Sequence, residues 1–328
     1  VAVTDKWIAY PASSTQIKGG FEAMGQINFN MGYHFIALEN SKGRRTELAS
    51  SSENVASSRS AILTLHINKA NTKLTAIKEN GNIELWDIEK KKLMYNAQTI
   101  EKVGYGGGIY SCYSNADDLL YFIVDGKNHL YTFSCTDFKL DSIELASKNY
   151  SAIAINEDTR TIVLGNTEGN VSFYSLTSNT LSESIAISKW KISDISSYGK
   201  AKNEYIITSG TQIVLLNSDY KKFIPYQNLP ALVSPFDISI SKENILVAAQ
   251  QNSAYLIDLA VATTIKSIHL NSFIYFSKLS PDDSTLILVT EDSVFAFQFP
   301  EMKMIYAFKN DGKRPREVNF SPIATCFV

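Results

Sequence analysis

The residues that could do chemistry are few. The four histidines are His34, His66, His129 and His269. A triad or a metal centre needs an imidazole at short, defined spacing from a carboxylate, a nucleophile or further ligands. His66 and His129 instead fall inside strand-like apolar runs, at non-equivalent places, and read as half-buried or rim side chains. No HExxH, GxSxG or P-loop pattern occurs. Cys112, Cys135 and Cys326 include no CxxC pair to hold zinc and are too scattered for a disulfide framework. Free thiols suit a reducing compartment, so an intracellular location, cytoplasm or nucleus, is expected. Asp117–Asp118 and Asp282–Asp283 lie in turn-like clusters, where carboxylates cap the backbone. No catalytic residue, no metal site and no cofactor is expected, and the chain is read as a non-enzyme.

Glycines and basic clusters are the remaining candidates. Gly104-Tyr105-Gly106-Gly107-Gly108 has the look of a phosphate loop, but such a loop needs a helix directly after it to aim amides at the anion. The next residues, Ile109-Tyr110-Ser111-Cys112-Tyr113, are strand-like, so a mobile linker exposing Tyr105 is expected. Lys189-Trp190-Lys191 sets an aromatic between two cations, a pattern that can stack a base and hold phosphates. Lys309 with Lys313-Arg314-Pro315-Arg316 makes a second basic spot, and Lys90-Lys91-Lys92 reads as a solvated turn. With 31 basic and 33 acidic residues the net charge is −2. Any binding of RNA or of a phospholipid headgroup would therefore rest on local patches rather than on the overall field.

The elements that must position these residues repeat. Runs rich in Val, Ile, Phe, Tyr and Thr, broken by Asn, Asp, Gly and Ser, group in fours. The clearest group is Ile62–Ile67, Lys73–Lys78, Asn82–Asp87 and Leu93–Gln98. Later groups open near Gly108, Tyr150, Lys191, Phe236 and Phe273, a period of about forty residues, which is that of four-stranded propeller blades. The terminal segments complete the pattern: Glu317–Phe320 and Ile323–Val328 read as half a group, while Val1–Val3, Lys6–Tyr10 and Phe21–Leu38 supply strands without a full group of their own. A closed ring has no free sheet edge within it if the two ends share a blade. The expectation is an all-β, single seven-bladed β-propeller spanning 1–328, with four-stranded antiparallel blades. Its closing blade would be built from 316–328 and the N-terminal strands; six or eight blades also fit the less regular start. The polar stretch 41–60, with Lys42, Arg44, Arg45 and many serines, reads as a flexible surface insertion.

The 328 residues are 45% hydrophobic, with 17 Tyr and 17 Phe against 16 Gly and 8 Pro. This suits a folded β-rich chain with a sizeable core. No run of about 18 apolar residues suggests a membrane-spanning helix. The chain opens at Val1 straight into a strand-like run and reads as a piece of a longer protein.

Gly81-Asn82-Ile83-Glu84-Leu85-Trp86-Asp87 resembles the end of a WD40 repeat, where a glycine turn leads into a strand closing on Trp-Asp. Gly169–Leu176 and Asn252–Leu259 echo it, Asp258 lying close to the matching aspartate. The turns Ser280-Pro281-Asp282-Asp283 and Asn156-Glu157-Asp158-Thr159 are also similar. No Gly-His pair opens a blade and only one Trp-Asp is present, so the family's buried His–Asp–Ser–Trp network is not expected. The lipid-binding propellers' Phe-Arg-Arg-Gly motif has no match either. The resemblance implies a scaffold mediating protein–protein interactions within a multi-subunit complex of a eukaryotic cell, as in RNA processing, vesicle coats, autophagy or ubiquitin ligases. The rim carrying inter-blade connections would present Tyr105, Asp125, Lys127, Lys148, Trp190, Lys313, Arg314 and Arg316 to a partner. RNA or a phosphorylated ligand is the alternative.

Overall fold

The structure, a computed structural model, describes residues 2–3, 7–12, 35–40, 45–48, 60, 62–68, 70, 72–103, 108–147, 149–197, 204–210, 212–217, 222–225, 236–241, 245–258, 263–280, 282–309 and 319–320. The strands are β1 (Ala2–Val3), β2 (Trp7–Ala12), β3 (Phe35–Asn40) and β4 (Arg45–Leu48), then β5 (Ile62–Ile67), β6 (Lys73–Lys78), β7 (Asn82–Asp87) and β8 (Lys92–Gln98). Next come β9 (Ile109–Ser114), β10 (Leu119–Val124), β11 (His129–Ser134) and β12 (Leu140–Glu144), and β13 (Tyr150–Asn156), β14 (Thr161–Asn166), β15 (Asn170–Ser175), β16 (Thr180–Leu181) and β17 (Ile185–Ala186). They continue as β18 (Ile192–Ser197), β19 (Glu204–Ser209), β20 (Gln212–Asn217), β21 (Lys222–Pro225), β22 (Phe236–Ile240), β23 (Ile245–Gln250), β24 (Ser253–Asp258) and β25 (Thr263–His269). The last are β26 (Ile274–Leu279), β27 (Thr285–Thr290), β28 (Ser293–Gln298), β29 (Lys303–Lys309) and β30 (Asn319–Phe320).

Consecutive strands pair antiparallel into small sheets. Six of these are β5–β8, β9–β12, β13–β17, β18–β21, β22–β25 and β26–β29, and a further sheet has the order β30-β1-β2-β3-β4. The first strands of successive sheets lie against one another, β5 on β9, β9 on β13, β13 on β18, β18 on β22 and β22 on β26, while β30 touches both β26 and β5. The protein is an all-β propeller of antiparallel blades. The strand period of two decides how the blades meet. Along β14, Ile162 and Leu164 pack with Tyr121 and Leu130 of the preceding sheet, whereas Val163 faces Ile192, Tyr205 and Ile207 of the next. Likewise Leu120 and Phe122 of β10 face Ile77 and Leu85 of β6 and β7, while Tyr121 and Ile123 face β14. Second strands are therefore buried on both faces. Outermost strands β8, β12 and β25 carry mostly exposed or half-buried residues.

The elements depart from the sequence reading in three places. Arg45–Leu48, inside the expected flexible insertion, forms β4 against β3. β4 is the edge strand of its sheet, and edge strands tolerate charged residues, so its composition is that of a loop. The expected single strand over 180–187 is broken into β16 and β17, because Ser182 accepts the Phe173 N–H through its hydroxyl (2.9 Å) and interrupts the ladder. Near the C-terminus the described strand β30 (Asn319–Phe320) runs parallel to β1, not antiparallel. No hairpin joins the two chain ends, so nothing imposes the antiparallel sense. The expected strand Ile323–Val328 and most of Phe21–Leu38 lie outside the described residues.

Polar bridges cross the apolar layers. Lys73 Nζ donates to Asp118 Oδ2 (2.7 Å) and to the Cys135 carbonyl (2.9 Å), and Tyr113 donates its hydroxyl to Asp118 Oδ1. Arg160 pairs with Asp117 at 2.7 Å, and Glu157 accepts from Ser114 Oγ and Asn115 N. Asp117 and Asp118, read from sequence as turn caps, thus tie neighbouring blades together. Burial alone would raise the Asp118 carboxyl, but the hydrogen bonds from Lys73 and Tyr113 outweigh it and hold it below the usual range. In the repeat motif, Lys78 and Glu84 form an ion pair at 2.5 Å, their side chains 4% and 3% exposed, and Trp86 Nε1 donates to the other Glu84 oxygen (3.3 Å). Asp87 accepts the Lys90 N–H (2.9 Å) and closes the β7–β8 turn.

Glu84→Gln leaves the Lys78 ammonium buried without its counter-charge, and we expect a loss of about 3–5 kcal/mol in urea unfolding. The double change Lys78→Met with Glu84→Leu should recover most of it; an equal loss in both would show the pair is not the cause. Since the folded Asp118 carboxyl lies below its unfolded value, its bridge contributes fully above about pH 4 and is lost as pH falls through the folded value. The urea midpoint of Asp118→Asn should accordingly fall less steeply than that of the unsubstituted chain between about pH 5 and pH 2.

Candidate interaction surface

The rim of the ring that carries the inter-blade connections is organised by glycines. Gly81, in the turn between β6 and β7, has φ +86°, and its carbonyl accepts the N–H groups of Thr99 and Ile100 from the connection leaving β8. Gly169 (φ +83°) does the same in the β14–β15 turn, accepting from Ile187 and Ser188. A Cβ would lie 2.1 Å from the Ile100 carbonyl oxygen at Gly81 and 2.2 Å from that of Ser188 at Gly169. The Gly-Asn step of the repeat is therefore a packing requirement: the outgoing connection presses on the turn at a distance that only glycine permits.

This packing seats Trp190. Its backbone N–H donates to Ser188 Oγ (2.9 Å), and its carbonyl accepts from Ser209 Oγ (2.7 Å). Its ring lies on Gly210, where a Cβ would come within 2.9 Å of Trp190 Cγ. Although held in this way, the residue is 63% exposed. Its neighbour Lys191 turns away, donating to Tyr110 OH (3.1 Å) with the ammonium 5.4 Å from that ring's centre. Lys189 is exposed. Lys127, in the β10–β11 turn, pairs with Glu101 from the connection after β8, which raises the lysine and lowers the carboxyl. Asp125 is exposed in the same turn. Of the expected partner residues, Trp190 and Lys127 lie on connections of this rim; Tyr105, Lys148, Lys313, Arg314 and Arg316 lie outside the described residues.

The histidines differ from one another. His129 is half-buried, stacked obliquely on Tyr131 at 5.8 Å, and His269 is exposed with Nδ1 2.7 Å from Ser253 Oγ. His66, expected at a rim or half-buried, is 9% exposed. Its Nε2 lies 2.8 Å from Ser111 Oγ and 3.2 Å from Thr64 Oγ1, those two hydroxyls being 2.7 Å apart, and its ring stacks on Tyr113 at 6.1 Å. The trio joins β5 to β9 across two blades, a polar stitch that nothing in the sequence spacing signalled. Cys135 is buried and Cys112 half-buried, both thiols free and raised by burial; Cys326 and His34 lie outside the described residues. Among the described residues no group of three His, Cys, Asp or Glu is placed to hold a metal. No helix there is long and apolar enough to cross a membrane.

Sequence reasoning missed two outward-facing features. Ile265 on β25 and Met304, Ile305 and Tyr306 on β29 are 47–57% exposed. The signal was available: a fourth strand is outermost, so its apolar residues have no neighbouring blade to enter. A cleft of about 480 Å³ opens between β12 and the next blade where the outer strand is split, with Tyr121, Tyr174 and Leu181 lining it and Asp141 and Glu144 among its polar groups.

No protein-family model matches the chain, and no curated protein matches it in sequence.

Gly169→Ala should cost roughly 2–5 kcal/mol, left-handed strain plus collision with the Ser188 carbonyl. Gly126→Ala, at φ +74° with nothing within 4 Å of the new carbon, should cost only about 1–2 kcal/mol. Equal losses in chemical denaturation would show that the pressing connection is not what requires glycine.

Proposed function

We propose that this chain is a non-catalytic, WD40-like scaffold that docks other proteins within a larger intracellular assembly. In this reading it is a seven-bladed ring whose closing blade is the sheet of β30 and β1–β4. The pairing of β30 with β1, and the contact of β30 with both β26 and β5, support that closure. The observation that carries the docking role is Trp190. A large aromatic 63% exposed, on a backbone tied to Ser188 and Ser209 and backed by Gly210, is ordered before any partner arrives. Pre-ordered aromatics anchor interfaces because little conformational entropy remains to be lost on binding. Resting such an anchor on a rigid frame gives specificity to connections rather than to a reacting group.

A second reading, binding of RNA or a phosphorylated ligand, is favoured by the same Trp190 beside exposed Lys189. Affinity capture of the tagged chain with quantitative mass spectrometry should recover at least one protein near one-to-one. A chain recovered alone across salt and lysis conditions would overturn the scaffold reading. Oligonucleotide affinity that falls steeply with salt and disappears in Lys189→Ala/Trp190→Ala would move the assignment to the second reading.

A further inference from the structure

The outermost strand β29 reads Lys-Met-Ile-Tyr-Ala-Phe-Lys and, among the described strands, pairs with β28 alone. Its Met304, Ile305 and Tyr306 are 57%, 51% and 47% exposed. A strand edge of this kind offers unpaired N–H and C=O groups to another chain, and natural sheets blunt such edges with charge or bulges. β12 is blunted by two carboxylates, reading Leu-Asp-Ser-Ile-Glu, whereas β25, Thr-Thr-Ile-Lys-Ser-Ile-His, carries one lysine and one bulge. β29 has a single bulge, at Ile305, because Phe297 faces Met304 and Ala296 faces Tyr306. From Tyr306 to Lys309 the register is regular.

Its charges decide what can pair there. Lys303 and Lys309 are exposed at the two ends, and the strand contains no carboxylate. A second copy pairing antiparallel about Tyr306 would set Lys303 opposite Lys309 at both ends, and parallel pairing would set each lysine opposite itself. Like charges directly opposite destabilise a strand pair. Carboxylates in those places reverse the sign of both contacts. We propose that β29 accepts an extended segment of a partner protein by strand addition, Asp or Glu residues five or six positions apart in that segment bracketing alternating β-branched or aromatic residues. Main-chain hydrogen bonds then supply affinity, and the two lysines choose the partner and its register. This deepens the scaffold reading and rests on it.

The test uses the whole chain and two capped heptapeptides, Glu-Val-Thr-Val-Thr-Val-Glu and the same sequence with lysine at both ends. Titrated by fluorescence anisotropy at about 50 mM salt, the acid-ended peptide should bind at least about tenfold more tightly. Lys303→Glu/Lys309→Glu should invert that preference, and Ile305→Lys should abolish binding of both. All three positions are exposed, and thermal melts followed by circular dichroism check that the variants fold. Equal binding of the two peptides, an unchanged preference in the charge-reversed variant, or no saturation up to about 1 mM overturns the proposal. So does a concentration-dependent dimer in sedimentation that Ile305→Lys dissolves, which gives the edge to a second copy. A one-to-one partner retained by Lys303→Glu/Lys309→Glu defeats strand addition while leaving the scaffold reading standing; no partner for the unsubstituted chain defeats the scaffold reading itself.

Discussion

Burial of the second strand on both faces is the constraint on which the other features depend. β6, β10, β14, β19 and β27 are buried along nearly their whole length, and β10 and β14 present apolar residues alternately to the blade before and the blade after. Leu74, Leu120, Leu164 and Leu286 are all fully buried, and each such side chain contributes of order 1.5–3 kcal/mol when taken from water. No blade can satisfy this alone, because a lone blade would expose both faces. The neighbours are part of each blade's core, and the arrangement is stable only when every sheet has one on either side.

Polar groups refine what the apolar layers hold. Between β5 and β9 the His66, Thr64 and Ser111 side chains meet, and between the same blades Lys73 bridges to Asp118 and the Cys135 carbonyl. The Trp86 indole bonds to Glu84, which is neutralised by Lys78 of the adjacent strand β6. Directional bonds of this kind contribute less to net stability than the apolar layers do, but a buried group left without its partner is costly, so they select one register of blade against blade.

The division between rim and outer edge has the same geometric origin. Connections cross from outermost to innermost strand over the glycine turns, and the crowding that demands glycine at 81 and 169 also holds Trp190. At the circumference the reverse holds: among the described residues no strand pairs with the outer edge of β25 or β29, and Ile265, Met304, Ile305 and Tyr306 are exposed there. Asp117 and Asp118 were legible as turn residues, since such turns occur in any hairpin. Their links to Arg160 and Lys73 were not, because the partners lie 43 and 45 residues away in sequence.

The sequence by itself determined the strand quartets and their period, since alternation and turn chemistry are local and need no distant partner. It also singled out Gly81, Trp86 and Asp87 as resembling a repeat's closing strand, and Trp190 as a candidate on the rim. Which side chains meet across blades was decided only by the tertiary structure. The polarity of β4 and the apolar face of β29 acquire meaning only from their place at the circumference. The parallel pairing of β30 with β1 joins opposite ends of the chain, and no local pattern could specify it. Contacts between sheets depend on which surfaces the ring brings together, and that is a property of the closed circle rather than of any segment within it.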